Sequence, residues 1–389
     1  MATKKSNGEG TIYVRKRNGK NYYTGQVTIG IDENGKQLRK SFSGYKRSEV
    51  VQKMKEAQFY VDKNMYTDTK DLTFGEYLYE WLYTTKKLEL APLSFERYES
   101  IYKNKIKTDP IHRIKLSELS TMNLQKFFNN LIEIKKESYN SANYIKTTLK
   151  TALEDAVKSG VLFRNPISGV KIKKEEKQKN YNIFTVEEQE LLISSLKLTD
   201  TVDLVIYTAL STGLRLGEIL ALKWADFDGN KLDINKQLQN VYEEKDGVKK
   251  QVKKLLPLKT KESKAVLPIP QKVAKELQKH RLRQSEMKLR LGKAYQDEGF
   301  IFADDIGQPI DRKRPGRRLS KICKDLDISH RTFHSLRHTY CTRLFEAGVP
   351  IKTVQALMRH SNSQTTLDIY THVMPEQKDK AILLLEKYL

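Results

Sequence analysis

The chain has 389 residues, 38% of them hydrophobic and 31% charged, with 71 lysines and arginines against 48 acidic residues and a formal net charge of +23. That length carries two to three domains with a full core in at least one, and the basic excess favours a polyanionic partner, most often nucleic acid. Two cysteines, Cys323 and Cys341, exclude a disulfide framework, the N-terminus lacks the apolar region of a signal peptide, and no stretch reaches the ~18 apolar residues of a membrane span. The expectation is a soluble protein of a reducing cytoplasm.

Residues 1–65 open with "GTIYVRKRNGKNYYTGQVTIGIDENGKQLRKSFSGY", in which apolar and polar residues alternate between Asn-Gly pairs at Asn18-Gly19 and Asn34-Gly35. This pattern predicts three short antiparallel strands joined by tight turns. Val50, Val51, Met54, Ala57 and Val61 then fall at helical spacing. A basic sheet of this size is suited to a DNA groove, although lysines also keep a sheet edge soluble.

Residues 71–174 predict four helices. In "LTFGEYLYEWLYTTKK", Phe74, Leu78, Trp81 and Leu82 share one side, and Asp71 or Thr73 is placed to cap it. "APLSFERYESIYKNKI", "STMNLQKFFNNLIEIKK" and "NSANYIKTTLKTALEDAVKSG" supply the other three, the last ended by Gly160 and Asn165-Pro166. Lysines at such helix ends suit phosphate contacts or plain solvent. The charged run at 169–182 has no apolar periodicity and reads as a linker, leaving 175–183 between the second and third segments.

Residues 184–389 begin with a capping box, Thr185 and Glu188, then helices broken at Gly213. Strands follow in "KLDINKQLQNVYEEKDGVKKQVKKLLPLKTKESKAVLPIP", with turns at Asp246-Gly247 and "TKES". Helices are expected at 271–290, 316–325, 332–347, 350–358, 363–370 and 375–388. The whole reads as an α+β, multidomain chain: a small three-stranded sheet with a helix, a helical domain, and a mostly α-helical third domain with a small antiparallel sheet.

Four clusters in the third segment can do chemistry. Arg215 follows the glycine turn of "STGLRLGEILAL". At a helix start it opposes the dipole, which suits a site built for an anion or an ordinary surface arginine. Lys259, Lys261 and Lys264 surround a hairpin turn, where a lysine can reach a leaving oxygen or simply be polar. In "RTFHSLRHTYCTRLFEAG", His334, Arg337, His338 and Cys341 lie at i, i+3, i+4 and i+7. His334 with Arg337 suits one phosphate; His334, His338 and Cys341 as zinc ligands would need a fourth; satisfied core histidines are the third reading. The last cluster is "RHSNSQTTLDIYTHV", with His360 and Tyr370. A phenol with a pKa near 10 is a poor nucleophile unless cations surround it.

Taken in order, Arg215, a lysine within 259–264, His334, Arg337, His360 and Tyr370 resemble the signature of the tyrosine recombinases, the integrases of phages and conjugative transposons. "TGLRLGEILALKW", "HSLRHTYCT" and "HSNSQTTLDIYTHV" carry the resemblance. It implies an arm-site DNA-binding domain at 1–65, a core-site DNA-binding domain at 71–174 and a catalytic domain at 184–389. It further implies that Tyr370 attacks a DNA phosphate to give a 3′-phosphotyrosyl bond and a 5′-hydroxyl, which then attacks the phosphotyrosine of another duplex through a Holliday junction. Arg215 and Arg337 would hold the non-bridging oxygens, Lys261 (or next Lys259) would be the general acid, His334 a general base or acid, and His360 a support for the phosphate. No cofactor or metal is implied. Partners would be double-stranded DNA at core-type and arm-type sites, a homotetramer on two sites with the helix of 375–389 exchanged between protomers, and accessory DNA-bending or excision proteins, all in a bacterial cytoplasm at the nucleoid. A type IB topoisomerase-like enzyme and an inactive DNA-binding regulator are the alternatives. The family usually has glycine before the His360 position; here it is Arg359. A nucleophile that must move onto a phosphate is also expected on a segment outside any core.

Overall fold

The computed structural model describes residues 11–17, 19–31, 37–62, 72–174, 182–245, 248–258, 264–360 and 362–373. The chain divides into two compact units, residues 1–177 and 178–389.

In the first unit, β1 (Thr11–Arg17), β2 (Lys20–Ile31) and β3 (Gln37–Gly44) form an antiparallel sheet in the order β1-β2-β3. The helix α1 (Arg47–Asp62) covers one face, seating Val50 and Met54 on Val27. Gly25 permits this approach, because a Cβ there would stand 2.0 Å from the Met54 sulfur. The Asn34-Gly35 turn lies outside the described residues.

The helical part of this unit comprises α2 (Phe74–Glu80), α3 (Lys87–Glu89), α4 (Pro92–Ile101), α5 (Thr121–Glu133) and α6 (Tyr139–Lys158). Thr73, not Asp71, is the cap whose hydroxyl meets the Glu76 amide, and Asp71 lies outside the described residues. The expected continuous helices are interrupted by wide π turns at Trp81–Lys86 and Tyr102–Ile106. The first turns Trp81 and Leu82 inward together, and the Trp81 indole donates to Asp155 of α6 at 3.0 Å. Phe74, Leu78, Trp81 and Leu82 are all buried, as the spacing predicts. Each fully buried side chain of this kind contributes about 1.5–3 kcal/mol.

In the second unit, α7 (Val186–Ser195) starts on the Thr185–Glu188 capping box. The next helix, α8 (Thr201–Thr212), is buried on nearly every side and forms the centre of the core. Its one deeply buried acid, Asp203, is met by Arg318 at 2.7 and 2.8 Å. Gly213 ends α8 with φ of 65°, and the short α9 (Leu216–Ile219) follows. The strands β4 (Lys231–Ile234) and β7 (Ala265–Pro268) pair antiparallel, as do β5 (Lys236–Lys245) and β6 (Val248–Pro257) in a hairpin whose Asp246-Gly247 tip is outside the described residues. Then come α10 (Gln271–Leu291), α11 (Lys313–Asp325), α12 (Phe333–Glu346), α13 (Ile351–Met358) and α14 (Ser363–Val373). Within the unit, α12 is tied to the segment before α7: Thr339 accepts from the Phe184 amide at 3.0 Å and Arg343 donates to the Phe184 carbonyl at 2.7 Å. Among the described residues no helix is long and apolar enough to cross a membrane.

Candidate active site

A cleft of about 270 Å³ in the second unit is lined by Arg215, Glu218, Gln237, Arg312, His334 and Arg337, among others. Three of the proposed site residues therefore meet there, although 119 positions separate Arg215 from His334 in the sequence. Arg215 is the residue before the first turn of α9, and Glu218 binds it twice: Oε2 accepts from the Arg215 amide and Oε1 from its Nη1, both at 2.9 Å. The dipole objection to an arginine here is answered by that carboxylate.

Arg337, only 2% exposed, sits in the first half of α12. Its Nη1 donates to the Gly213 carbonyl and its Nη2 to the Met358 carbonyl, at the ends of α8 and α13. Two of the five guanidinium N–H groups thus set its plane, and three remain for an anion. Burial first, then Arg215, lowers its affinity for the proton, opposed by Glu218; guanidinium chemistry keeps it charged at neutral pH regardless.

Three imidazoles surround this guanidinium. The protein mass around His334, then Arg337 and Arg215, lower its pKa. His338 stands edge-on to it with ring centroids 4.5 Å apart, and burial followed by His334 and Arg337 presses its pKa down to about 4. His360, just past α13, pairs its Nδ1 with the buried Thr366 hydroxyl at 2.8 Å; burial, then Arg337 and Arg215, lower its pKa to about 3. All three shifts favour the neutral imidazole. Cys341 is fully buried, and among the described residues no group of three or more His, Cys, Asp or Glu is arranged to hold a metal.

His360 and Tyr370 do not line the cleft among the described residues. Tyr370 is half-buried on α14, its ring against Phe345 at 5.1 Å. Its neighbours Thr366 and Ile369 are fully buried. The expectation of a segment outside any core is therefore corrected: one face of α14 packs on α12 and α13, and of its polar residues Ser363 and Gln364 are exposed while Thr366 is buried against His360. Lys259, Lys261 and the helix expected at 375–389 lie outside the described residues. Lys264 is exposed immediately before β7.

Two residues were missed. Glu218 looks like an ordinary capping acid three residues after Arg215; its signal was the arginine at a helix start that needed a counter-charge. From the sequence Arg359 reads as bulk and charge in place of a usual glycine, able to alter a turn or contact DNA; the structure buries it instead. It ends α13 in the left-handed conformation, φ 52° and ψ 48°, and its Nη2 reaches Glu218 Oε2 at 2.7 Å. Burial pushes the Glu218 pKa up, but Arg359 and the Arg215 amide outweigh it and leave the carboxyl below its usual range.

A phage integrase family profile matches residues 182–377, and a profile for the phage integrase N-terminal SAM-like domain matches 73–132. A tyrosine recombinase XerC-like protein of Caldanaerobacter subterraneus subsp. tengcongensis is 36% identical over 384 residues, covering 96% of this chain and 97% of that protein. The Tn1549 transposon integrase in complex with transposon right-end DNA has the same fold, with a TM-score of 0.65 at 22% identity over 81% of this chain and 99% of that one. A lambda integrase tetramer bound to a Holliday junction gives 0.52 at 20% identity, over 90% and 96%. With Arg215, His334 and Arg337 of the cleft in the segment the first profile covers, and a relative aligned along nearly its whole length, the chain belongs to the phage integrase family, the tyrosine recombinases.

Proposed function

We propose that this recombinase integrates or excises a mobile element by site-specific strand exchange, with Arg215, Lys261, His334, Arg337, His360 and Tyr370 as its catalytic residues. The observation that carries the reading is the meeting of Arg215, His334 and Arg337 on one cleft, with Arg337 oriented by two backbone carbonyls. Such an arrangement supplies preorganised positive charge where a pentavalent phosphate gains negative charge.

In the proposed step the Tyr370 oxygen bonds to phosphorus and the P–O5′ bond breaks, leaving a 3′-phosphotyrosyl ester. His334, its pKa lowered by burial and two guanidiniums, accepts the phenolic proton, and a lysine within 259–264, Lys261 first and Lys259 next, protonates the departing 5′ oxygen. His360 supports the phosphate. The 5′-hydroxyl of a second duplex reverses the step through a Holliday junction, and the ester conserves the bond energy so that no cofactor enters. We assign 1–65 to arm-type sites, 71–174 to core-type sites and 184–389 to catalysis, in a homotetramer on two DNA sites that exchanges its 375–389 helices. Accessory DNA-bending or excision proteins would set direction, in a bacterial cytoplasm. The lambda integrase tetramer on a Holliday junction and the DNA-bound Tn1549 integrase support this assembly by likeness of fold.

The test uses nicked suicide duplexes from the DNA junction beside the protein's own gene. Wild type is expected to form a covalent adduct and Tyr370→Phe none, with DNA affinity retained. Adduct formation by Tyr370→Phe would refute the nucleophile. Strand exchange between two differently marked duplexes separates a recombinase from a topoisomerase-like enzyme, and no adduct on any junction duplex would favour a regulator.

A further inference from the structure

Arg359 breaks two rules at once. Its backbone is left-handed, which costs an L residue other than glycine about 1–2 kcal/mol, and its guanidinium is buried, the side chain 1% exposed. Glycine would remove both costs. The arginine makes a contact that glycine cannot, with Glu218. Glu218, 3% exposed, divides its two oxygens: Oε1 takes Arg215 Nη1, while Oε2 takes both the Arg215 amide and Arg359 Nη2. Without Arg359, Oε2 keeps only the backbone donor, and the carboxylate that clamps Arg215 loses its tie to the end of α13.

The position of Arg359 in the chain gives that contact its reach. The preceding residue, Met358, offers the carbonyl that holds Arg337. The following residue is His360, bonded to Thr366 on α14, the helix that carries Tyr370. Arg359 thus ties the end of α13 to the start of α9, so that Arg215, Arg337 and the His360 segment are linked through one buried ion pair. The side chain has no exposed surface with which to touch DNA.

We propose that Arg359 is a positioning residue of the strand-cleavage reaction, acting through Glu218 to fix the Arg215 guanidinium and the His360 segment relative to one another. The proposal rests on the functional reading above. The acid Glu218 is faced by Arg215 from α9, Arg337 from α12 and Arg359 from the end of α13, and Arg359 also faces Tyr340 of α12.

The experiment measures single-turnover adduct formation and DNA affinity for wild type, Arg359→Gly, Glu218→Gln and the double variant, on the suicide duplexes described above. Because glycine accepts the left-handed backbone, Arg359→Gly is expected to fold. Its cleavage rate should fall about 10-fold through a misplaced Arg215, with DNA affinity within about twofold, since the buried side chain makes no phosphate contact. The double variant should be no slower than the slower single variant, as expected of two residues acting through one contact. Wild-type cleavage by Arg359→Gly, multiplying effects in the double variant, or a loss of affinity in step with the rate would each overturn the proposal. If the glycine variant fails to fold, Arg359→Met, which keeps the apolar stem and loses the charge, carries the same expectations and the same refutations. Failure of the wild type to form any adduct would instead sink the functional reading, and the two failures are thereby distinct.

Discussion

Arg337→Lys is the sharpest test of how the cleft is built. The guanidinium fork spans two carbonyls, of Gly213 and Met358, from two different helix ends. A lysine ammonium at the end of a flexible stem reaches one of them. The other carbonyl is left buried without its donor, a cost of about 1–3 kcal/mol. Taking about 2 kcal/mol, and about 2–4 °C per kcal/mol for a unit of 150–250 residues, the melting midpoint should fall by about 4–8 °C. Cleavage should fall further than stability explains, by about 100–1,000-fold, because the donors left for the phosphate oxygens are lost as a preorganised set. Calorimetry on the full chain gives the first number and single-turnover adduct formation at a temperature well below the midpoint gives the second. A lysine variant that melts with wild type and cleaves within about threefold of it would show that the two carbonyl contacts neither hold the structure nor orient the guanidinium.

Gly213→Ala should destabilise the second unit by about 2–4 kcal/mol, from the left-handed φ of 65° and a methyl placed 2.4 Å from the Tyr340 ring; a midpoint unchanged in calorimetry would contradict this. Stability should also depend on pH through the histidines. The folded-state pKa values of about 4 for His338 and about 3 for His360 lie below the ordinary 6.5, so the unfolded chain takes up protons first as pH falls. Their contribution is complete above about pH 6.5 and is lost as pH falls toward about 4 and then 3. The melting midpoint of the DNA-free protein should therefore drop between pH 7 and 4.5, with a shallower slope in His338→Asn. A flat midpoint across that window, or an unchanged slope in the variant, refutes the reading.

What could be read from the sequence was what local chemistry dictates. Thr185 and Glu188 announce the start of α7 because a capping box closes over three residues, and Gly213 announces the end of α8 because few other residues accept its φ. The residues proposed to handle phosphate stand out in the sequence through two histidine-bearing motifs and an arginine after a glycine turn, and of these the structure brings Arg215, His334 and Arg337 onto one cleft. The π turn at Trp81–Lys86 was not legible, since the periodicity of "EYLYEWLY" fits an unbroken helix and only the packing against Asp155 of α6 selects the wider turn. Nor was the seat of Tyr370. The spacing of Thr366, Ile369 and Tyr370 is helical, but which face is buried depends on Phe345 and the end of α13, which the sequence does not place beside it.

Arg359 shows where local reasoning stops and why. At its own position everything argues against it: left-handed backbone, a buried charge, a slot where the signature this sequence resembles usually has glycine. Those penalties are local and visible. The compensating partner, Glu218, lies 141 residues away, and at its own position it too is unremarked, an acid in the first turn of a short helix. Neither residue identifies the other, because an ion pair between distant segments is specified by the topology that brings α9 and α13 together, not by any spacing rule. A residue that violates the local rules in a site otherwise obeying them is therefore informative in itself: it points to a contact made across the fold, and the strain at Arg359 is the sequence-visible half of the Glu218 pair.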